Sequence, residues 1–260
     1  MSVIDKADKG DEAETGAARW LPRTAAILAG GRGSRLGGMP KESILVDGEE
    51  LGPRLVRLLS TVFQNIIVIT NNKDLYAGTG AFAASDAIPG FGPLSGLHAA
   101  LSLAPGPSRD GGAGEAVWLA ACDMPAFDPR LVELLASRYA EAVAKAASGN
   151  GAPPLAALAR HGGHFEPFHA IYSTRLVGEL EGLFADDEAR AGSLPRGGRF
   201  DLEAKRPSFK ELFARVPVLF VAEAEVRTIT PDWGLYFNVN TPEELARLPG
   251  HGGDRTESGE

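Results

Sequence analysis

A glycine-rich segment, residues 28–41 with the sequence LAGGRGSRLGGMPK, carries the residue types best suited to bind an anion. Glycines let backbone N–H groups approach a phosphate closely, and Arg35 and Lys41 add two positive charges. The segment is not a Walker A loop, because Met39 stands where that motif has lysine, and it lacks the last glycine of the GxGxxG dinucleotide fingerprint. We therefore expect a loop that binds a polyphosphate, with a plain connection between a strand and a helix as the alternative.

Asp123 follows the apolar run Ala116–Ala121, which is typical of a buried strand. Open α/β sheets bind their ligands at the carboxyl ends of the strands, so this carboxylate could hold Mg²⁺ together with phosphate oxygens and water. A cap of the turn before Pro125 is the alternative role. Cys122 has no histidine nearby in the sequence, so we expect a small buried side chain and not a nucleophile.

Three histidines, His161, His164 and His169, lie close enough in the sequence to suggest a metal site. His164 and His169 are five residues apart in a predicted strand, which would place them on opposite faces. We therefore expect structural or surface roles for all three.

Short apolar runs alternate with helical patterns along the first half of the chain, which predicts parallel βαβ units. The predicted strands are Thr24–Ala29, Ile66–Thr70 and Ala116–Ala121, and the helices are 53–63, Pro93–Leu103 and one capped by Asp128. The less regular second half has predicted strands at Leu155–Ala159, Phe165–Tyr172 and Val218–Ala222, and helices from Ser173 to about Phe184, over Ser208–Arg215 and from Thr241. These elements predict a three-layer α/β/α, Rossmann-like fold with a mostly parallel sheet and one or two antiparallel strands.

Composition limits the classes of function. The 260 residues include 26 Lys and Arg against 34 Asp and Glu, and a net charge of −8 argues against binding to nucleic acid or to a membrane surface. The single cysteine excludes an intrachain disulfide framework, and no apolar run reaches the roughly 18 residues of a membrane helix. We expect a cytoplasmic protein with one domain over 23–248, an insertion at about 186–207, a disordered leader at 1–22 and a disordered tail at 249–260.

Five segments together resemble a known family. The glycine-rich segment is similar to the LAGGxxxRMGxxK signature of sugar-nucleotide-type nucleotidyltransferases, and CDMP at 122–125 is similar to the CDxP of one branch, the molybdenum cofactor guanylyltransferases. Three further segments match that branch: GPLSG at 92–96, EPF followed by AIY at 166–172, and FNVNTPEEL at 237–245. The resemblance runs from about Thr24 to Leu248.

The resemblance implies the transfer of GMP from GTP to the phosphate of molybdopterin cofactor, with release of pyrophosphate and with Mg²⁺ as the cofactor. It implies catalytic roles for Lys41, Arg35 and Asp123, with Asp123 binding the metal, since preorganised charges stabilise departing pyrophosphate. The residues implied in nucleotide binding are Leu28, Ala29, Gly30, Gly31, Lys41, Thr70, Asn72, Asp86, Asp123, Asn238 and Asn240. The implied partners are GTP, the molybdenum cofactor and a molybdoenzyme or its chaperone, without nucleic acid or membrane.

Base selection and the insertion have chemistry of their own. A carboxylate such as Asp86 can accept both the N1–H and the N2–H₂ of guanine, which cytosine and adenine cannot offer together. Four basic residues near the end of the insertion form either a solvated loop or a dock for the phosphate of a pterin cofactor; they are Arg196, Arg199, Lys205 and Arg206.

The sequence also departs from the family pattern. Pro40 stands where aspartate is frequent, and Glu42-Ser43 replaces a run of small apolar residues. A cytidylyltransferase for the same cofactor, a sugar-1-phosphate nucleotidyltransferase and a non-catalytic accessory protein that binds nucleotide or cofactor therefore stay open as alternatives. A dinucleotide-dependent oxidoreductase is the weakest of them, because the fingerprint is incomplete.

Overall fold

A sheet of eight strands organises the part of the chain that the computed structural model describes, which is residues 20–29, 40–46, 48–105, 115–149, 151–192, 206–239 and 244. The strands are β1 (Thr24–Leu28), β2 (Leu45–Val46), β3 (Glu49–Glu50), β4 (Asn65–Ile69), β5 (Phe82–Ala84), β6 (Ala116–Ala121), β7 (Ala156–His161), β8 (His164–Phe165), β9 (Ala170–Ser173) and β10 (Val218–Val221). The order across the sheet is β10-β7-β9-β6-β1-β4-β5, with β8 paired to β7 and with β2 and β3 in a separate hairpin.

Most neighbouring strands in this sheet are parallel. The exceptions are β9, which is antiparallel to both β6 and β7, and β8, which is antiparallel to β7. The mostly parallel sheet and its antiparallel strands in the second half are thus confirmed.

Helices cover both faces of the sheet. They are α1 (Leu51–Leu59), α2 (Pro93–Leu103), α3 (Pro129–Ala147), α4 (Val177–Gly192), α5 (Phe209–Arg215) and α6 (Glu223–Val226). Alternate residues of β1 point to opposite faces: Ile27 packs in the core with α1 and α3, and Ala26 packs in the core with α2, α4 and α5. The predicted three-layer arrangement follows from this alternation.

Two of the predicted helix caps are present in the described chain. The Asp128 side chain accepts a hydrogen bond from the backbone N–H of Arg130 at the start of α3, and Pro129 takes the first helical position. Ser208 and Glu211 form a capping box at the start of α5. Helix α2 and strand β6 have the predicted bounds.

Other bounds differ from the predictions. Helix α1 begins at Leu51 and not at 53, because proline is tolerated in the first turn, and it ends at Leu59 and not at 63. Helix α4 extends to Gly192, so residues 185–192 are helical and not loop; the segment ADDEARAG consists mostly of residues compatible with a helix. His169 has φ of +50°, which interrupts the predicted strand Phe165–Tyr172 and separates β8 from β9.

Several predictions fall outside the described residues. They concern residues 1–19 of the leader, Gly30, Gly31 and Arg35 of the glycine-rich segment, residues 193–205 with Arg196, Arg199 and Lys205, Asn240 with the helix start at Thr241, and the tail 249–260. Among the helices that are described, none combines the length and the apolar character needed to cross a membrane.

Candidate active site

The carboxyl ends of three neighbouring strands meet at one edge of the sheet. The N–H of Ala29 donates to the carbonyl of Ile69 over 2.9 Å, and the N–H of Cys122 donates to the carbonyl of Leu28 over 3.0 Å. These bonds extend the pairing of β1 with β4 and β6 by one residue. A cavity of about 730 Å³ opens at this edge. Its walls include Leu28, Ala29, Lys41, Ile69, Asn71, Asp86, Gly90, Gly92, Pro93, Gly96, Ala121, Cys122, Asp123, Phe168 and Arg206.

Lys41 and Asp123 form an ion pair on the cavity wall, with Lys41 Nζ 2.7 Å from Asp123 Oδ2. Lys41 opens a single 3-10 turn, Lys41–Ser43, and Asp123 follows β6. Both side chains stay partly accessible, at 30% and 23%. The fold thus brings together the two described residues that the sequence suggested for charge neutralisation and metal binding.

Asn238 is held beside Asp123 through the backbone. The N–H of the buried Val239 donates to the carbonyl of Asp123 over 2.8 Å. Asn238, the preceding residue, is exposed. In the described chain Asn238 thus lies next to a residue that is bonded to Asp123, but it is not among the residues that line the cavity.

The end of β4 contributes a different residue from the two suggested by the sequence. Thr70 is buried, and its hydroxyl donates to the carboxylate of Glu42, with 3.0 Å to Oε1 and 2.9 Å to Oε2. The N–H of Asn72 donates to the Thr70 hydroxyl over 2.9 Å. Of these neighbouring residues in the described chain, Asn71 lines the cavity, and Thr70 and Asn72 do not.

Strand alternation explains this correction. Ile66 and Val68 pack in the core with α1, and Ile67 and Ile69 pack in the core with α2. Continued past the strand, the same alternation turns Thr70 toward α1 and Asn71 toward α2 and the cavity. The alternation of side chains along the predicted strand Ile66–Thr70 was therefore sufficient to predict that Asn71, and not Thr70, faces the cavity.

Asp86 and Asn71 share one wall of the cavity. Pairing of β4 with β5 brings them together: the N–H of Thr70 donates to the carbonyl of Ala84 over 2.7 Å, and the Ser85 hydroxyl donates to the carbonyl of Thr70 over 3.2 Å. Partial burial against this wall raises the pKa of the Asp86 carboxyl above its usual value. A hydrogen-bonding base would offset that desolvation.

Phe168 and Arg206 form another part of the wall. The Phe168 ring meets that of Phe209, on α5, edge to face with 6.0 Å between centroids. Arg206 lies against Gly90: a Cβ at Gly90 would be 3.1 Å from the Arg206 Nη1. Arg206, the one described residue of the predicted basic stretch, therefore lines the same cavity as Asp86, a position compatible with the predicted dock for an acceptor phosphate.

Cys122 and His169 are buried, whereas His161 is half-buried and His164 is exposed. Burial, together with the carboxylates of Glu42 and Asp123, raises the pKa of the Cys122 thiol well above its usual value, so the thiol stays protonated. His169 is buried beside Trp118, and burial lowers its pKa to about 4. His161 Nδ1 pairs with Glu223 Oε1 over 3.1 Å. Within the described ranges, no three His, Cys, Asp or Glu side chains form a group that could hold a metal.

A cavity at the carboxyl ends of a mostly parallel sheet is where open α/β proteins bind their ligands, and here a lysine–carboxylate pair lines it. The sequence of residues 25–197 matches that of the MobA-like NTP transferase domain, and the chain belongs to this family. It is thus a nucleotidyltransferase by family.

Similar proteins agree with this assignment. A probable molybdenum cofactor guanylyltransferase of Peptoclostridium acidaminophilum is 30% identical over 222 residues, which are 85% of this chain and 86% of that protein. The molybdenum cofactor guanylyltransferase of Pseudomonas paraeruginosa is 32% identical over 79% of this chain and 96% of its own. The crystal structure of molybdopterin-guanine dinucleotide biosynthesis protein A from Archaeoglobus fulgidus has the same fold, with a TM-score of 0.61 and 24% identity over 86% of this chain and 95% of that one.

Proposed function

We propose that the protein transfers GMP from GTP to the phosphate of molybdopterin cofactor and releases pyrophosphate. The observation that carries the proposal is the Lys41–Asp123 pair, 2.7 Å apart on a cavity at the carboxyl edge of the sheet. The names of the related guanylyltransferases supply the donor and the acceptor.

The reaction requires positioning and charge neutralisation more than proton transfer. An oxygen of the acceptor phosphate attacks the α-phosphorus of GTP, the bond to the β-phosphate breaks, and its electron pair leaves with pyrophosphate. The acceptor phosphate is already an anion, so no strong general base is needed. The Lys41 ammonium neutralises charge that develops on the phosphate oxygens, and Asp123 fixes the position of that ammonium.

The residues at the end of β6 fit Mg²⁺. The metal prefers hard oxygen ligands and takes one or two protein carboxylates, with phosphates and water completing its shell. Asp123 offers a partly accessible carboxylate, and Asn238 offers an amide held nearby by the bond from Val239 to Asp123. When bound, the ion would neutralise charge on the triphosphate. We propose Asp123 as its protein ligand.

The wall with Asn71 and Asp86 is suited to guanine. A carboxylate that accepts two adjacent donors of guanine is left facing an acceptor if cytosine or adenine takes that place. Arg206 is positively charged and can therefore bind the negatively charged phosphate of the pterin acceptor. We therefore assign the guanine base to Asn71 and Asp86 and the acceptor phosphate to Arg206. The proposal also includes a cytoplasmic location and delivery of the product to a molybdoenzyme or its chaperone.

The test is an incubation with molybdopterin cofactor, Mg²⁺ and each of the four NTPs, with dinucleotide product and pyrophosphate both measured. We expect product with GTP, a metal requirement, and loss of product in Asp123→Asn but not in Lys145→Ala, an exposed lysine on α3. Equal use of GTP and CTP would contradict the guanylyl assignment. Binding of GTP without pyrophosphate release would instead indicate an accessory protein.

A further inference from the structure

Glu42 is a buried acidic residue directly after the active-site lysine. Its side chain is 3% exposed, whereas the Lys41 side chain is 30% exposed, so the two neighbours point in opposite directions. A buried carboxylate is costly unless hydrogen bonds compensate it. Nothing in the proposed chemistry requires this group, which stands where the related family has small apolar residues.

Two hydroxyl groups satisfy the Glu42 carboxylate. The Thr70 hydroxyl donates to it over 2.9 Å at Oε2, and the Tyr76 hydroxyl donates to the same oxygen over 2.8 Å. Thr70 lies at the end of β4, and Tyr76 closes the single 3-10 turn Lys73–Tyr76. The carboxylate therefore joins its own turn to two points 28 and 34 residues further along the chain, and we refer to Glu42, Thr70 and Tyr76 as the carboxylate clamp.

Gly52 in α1 provides room for this clamp. A Cβ at Gly52 would overlap the Tyr76 hydroxyl oxygen and lie 2.9 Å from Cζ of the same ring. Gly52 lies in the first turn of α1 and does not have a left-handed backbone, so the helix itself does not require glycine there. Its value lies in the space that it leaves for Tyr76.

The clamp lies between two parts of the cavity wall. On one side, Glu42 is the central residue of the turn that presents Lys41 to Asp123. On the other, Thr70 immediately precedes Asn71, and its hydroxyl also receives the N–H of Asn72. The end of β4 is also held in the sheet by the bond from the Thr70 N–H to the Ala84 carbonyl, so loss of the clamp would let the Lys41 turn move relative to a β4 end that stays in place.

We infer that Glu42 is a positioning residue, which through Thr70 and Tyr76 fixes the Lys41 turn against the end of β4 and so sets the place of the Lys41 ammonium beside Asp123. The expected change in kcat rests on the proposed function, whereas the expected change in the position of Lys41 does not. Glutamine keeps one oxygen acceptor and adds a donor that the Thr70 oxygen can accept, so it preserves much of the clamp. Alanine removes it.

The experiment compares Glu42→Ala, Glu42→Gln and Leu135→Ala. Leu135 is fully buried on α3, outside the clamp and the cavity lining, and serves as a control for loss of stability. Because misplacement of a catalytic group is costly, we expect kcat to fall by about tenfold or more in Glu42→Ala. The KM for GTP should stay within about threefold, and Glu42→Gln should recover most of kcat. An equal fall of kcat in Leu135→Ala at a temperature where both are folded would overturn the inference.

A second measurement does not depend on activity. Brief labelling with an amine-reactive ester, read by mass spectrometry, gives the reactivity of Lys41 relative to that of the exposed Lys145. We expect higher relative reactivity in Glu42→Ala and near-normal reactivity in Glu42→Gln and Leu135→Ala. If wild type shows no transfer reaction but this pattern holds, the proposed function fails and the clamp stands. Unchanged Lys41 reactivity in Glu42→Ala would overturn the clamp whatever the activity.

Gly52→Ala tests the same clamp without changing its hydrogen-bonding groups. We expect it to raise Lys41 reactivity by displacing Tyr76, and to add little once Tyr76→Phe has removed the hydroxyl, since residues in contact are non-additive. This pair also decides the matter if Glu42→Ala does not fold. Full additivity of the two changes, or no effect of either, would contradict the role of the clamp.

Discussion

Lys41 and Glu42 are neighbours in the chain, yet they belong to two regions with different physical tasks. Lys41 meets Asp123 on the cavity wall, where both side chains are partly accessible. Glu42 meets Thr70 and Tyr76 in the interior, where its carboxylate is almost fully removed from water. An accessible ion pair contributes little to stability, whereas a buried polar group must keep its partners. Changes on the cavity side should therefore reduce activity without unfolding the protein, whereas changes on the interior side should reduce activity and stability together.

The strongest test of the cavity side is Asp123→Asn. We expect it to abolish Mg²⁺-dependent turnover while the fold survives, because it weakens the metal site and the fixed position of Lys41 together. Pyrophosphate release and thermal unfolding measure the two effects. Asp187→Asn, on α4, is the matched control. Near wild-type turnover in Asp123→Asn would remove this carboxylate from the site.

Lys41→Ala should have the next largest effect. Loss of a preorganised charge on the phosphates is expected to lower kcat/KM by about 10²-fold, or roughly 3 kcal/mol. The free energy of unfolding should change by less than about 1 kcal/mol, since the ion pair is partly exposed. Steady-state kinetics and urea unfolding check both, with Lys145→Ala as the control. A large loss of stability with little loss of rate would instead mean that Lys41 has a structural role and not a catalytic one.

Asp86→Ala should change selectivity more than rate. We expect the preference for GTP over CTP to fall by more than about tenfold, which corresponds to about 1.4 kcal/mol. The ratio of kcat/KM for the two nucleotides measures it. A preference that survives the substitution would assign base recognition to Asn71 or to other groups of the wall.

The smallest expected effect is a pH dependence of stability at Glu42. Burial raises the pKa of this carboxyl above 4.5, although the hydrogen bonds from Tyr76 and Thr70 lower it in part. The folded chain thus binds the Glu42 proton more tightly than the unfolded chain does. The stabilisation that this proton provides is complete below about pH 4.5 and is lost as the pH rises through the folded-state pKa. Glu42→Gln cannot lose stability in this way, because glutamine does not titrate.

The free energy of unfolding of Glu42→Gln should therefore increase relative to wild type between about pH 4 and about pH 8. Urea unfolding of both proteins at the two pH values measures the difference, and the same substitution at the exposed Glu188 is the control. A difference that decreases with pH would mean that the ionised carboxylate is favoured by the fold.

Local patterns were sufficient to predict most of the framework. The helical pattern entered at Gly92-Pro93 and the apolar run Ala116–Ala121 indicated α2 and β6 with their observed bounds, and cap chemistry indicated the starts of α3 and α5. Asp123 could be placed at a strand end for the same reason. Only the family resemblance placed it in one site with Lys41, since 82 residues separate the two and no local pattern connects them, and their direct pairing was not predicted.

What the sequence missed depends on which way a side chain faces. Thr70 was expected at the nucleotide and bonds Glu42 instead, whereas Asn71 lines the cavity. The left-handed backbone of His169, which ends the extended run before β9, has no signature in the residue type. For Arg206 the sequence left a solvated loop and a phosphate dock both open, and the residue reaches the cavity because α5 packs against β9 residues from far upstream, as the contact between Phe209 and Tyr172 shows. Each of these depends on tertiary packing, which local propensity does not encode.

The place of β9 in the sheet also has a consequence for how the protein is assembled. Strands β6 and β7 are consecutive parallel strands of the sheet joined through α3, yet they are not hydrogen-bonded to each other; β9 fills the gap between them in the opposite direction. Until that strand is inserted, the half with β1, β4, β5 and β6 and the half with β7 and β10 remain separate sheets. Long-range pairing of this kind is slow to form. Phe168, two residues before β9, completes the cavity wall only after insertion, so nucleotide binding through a complete cavity requires that β9 is in place.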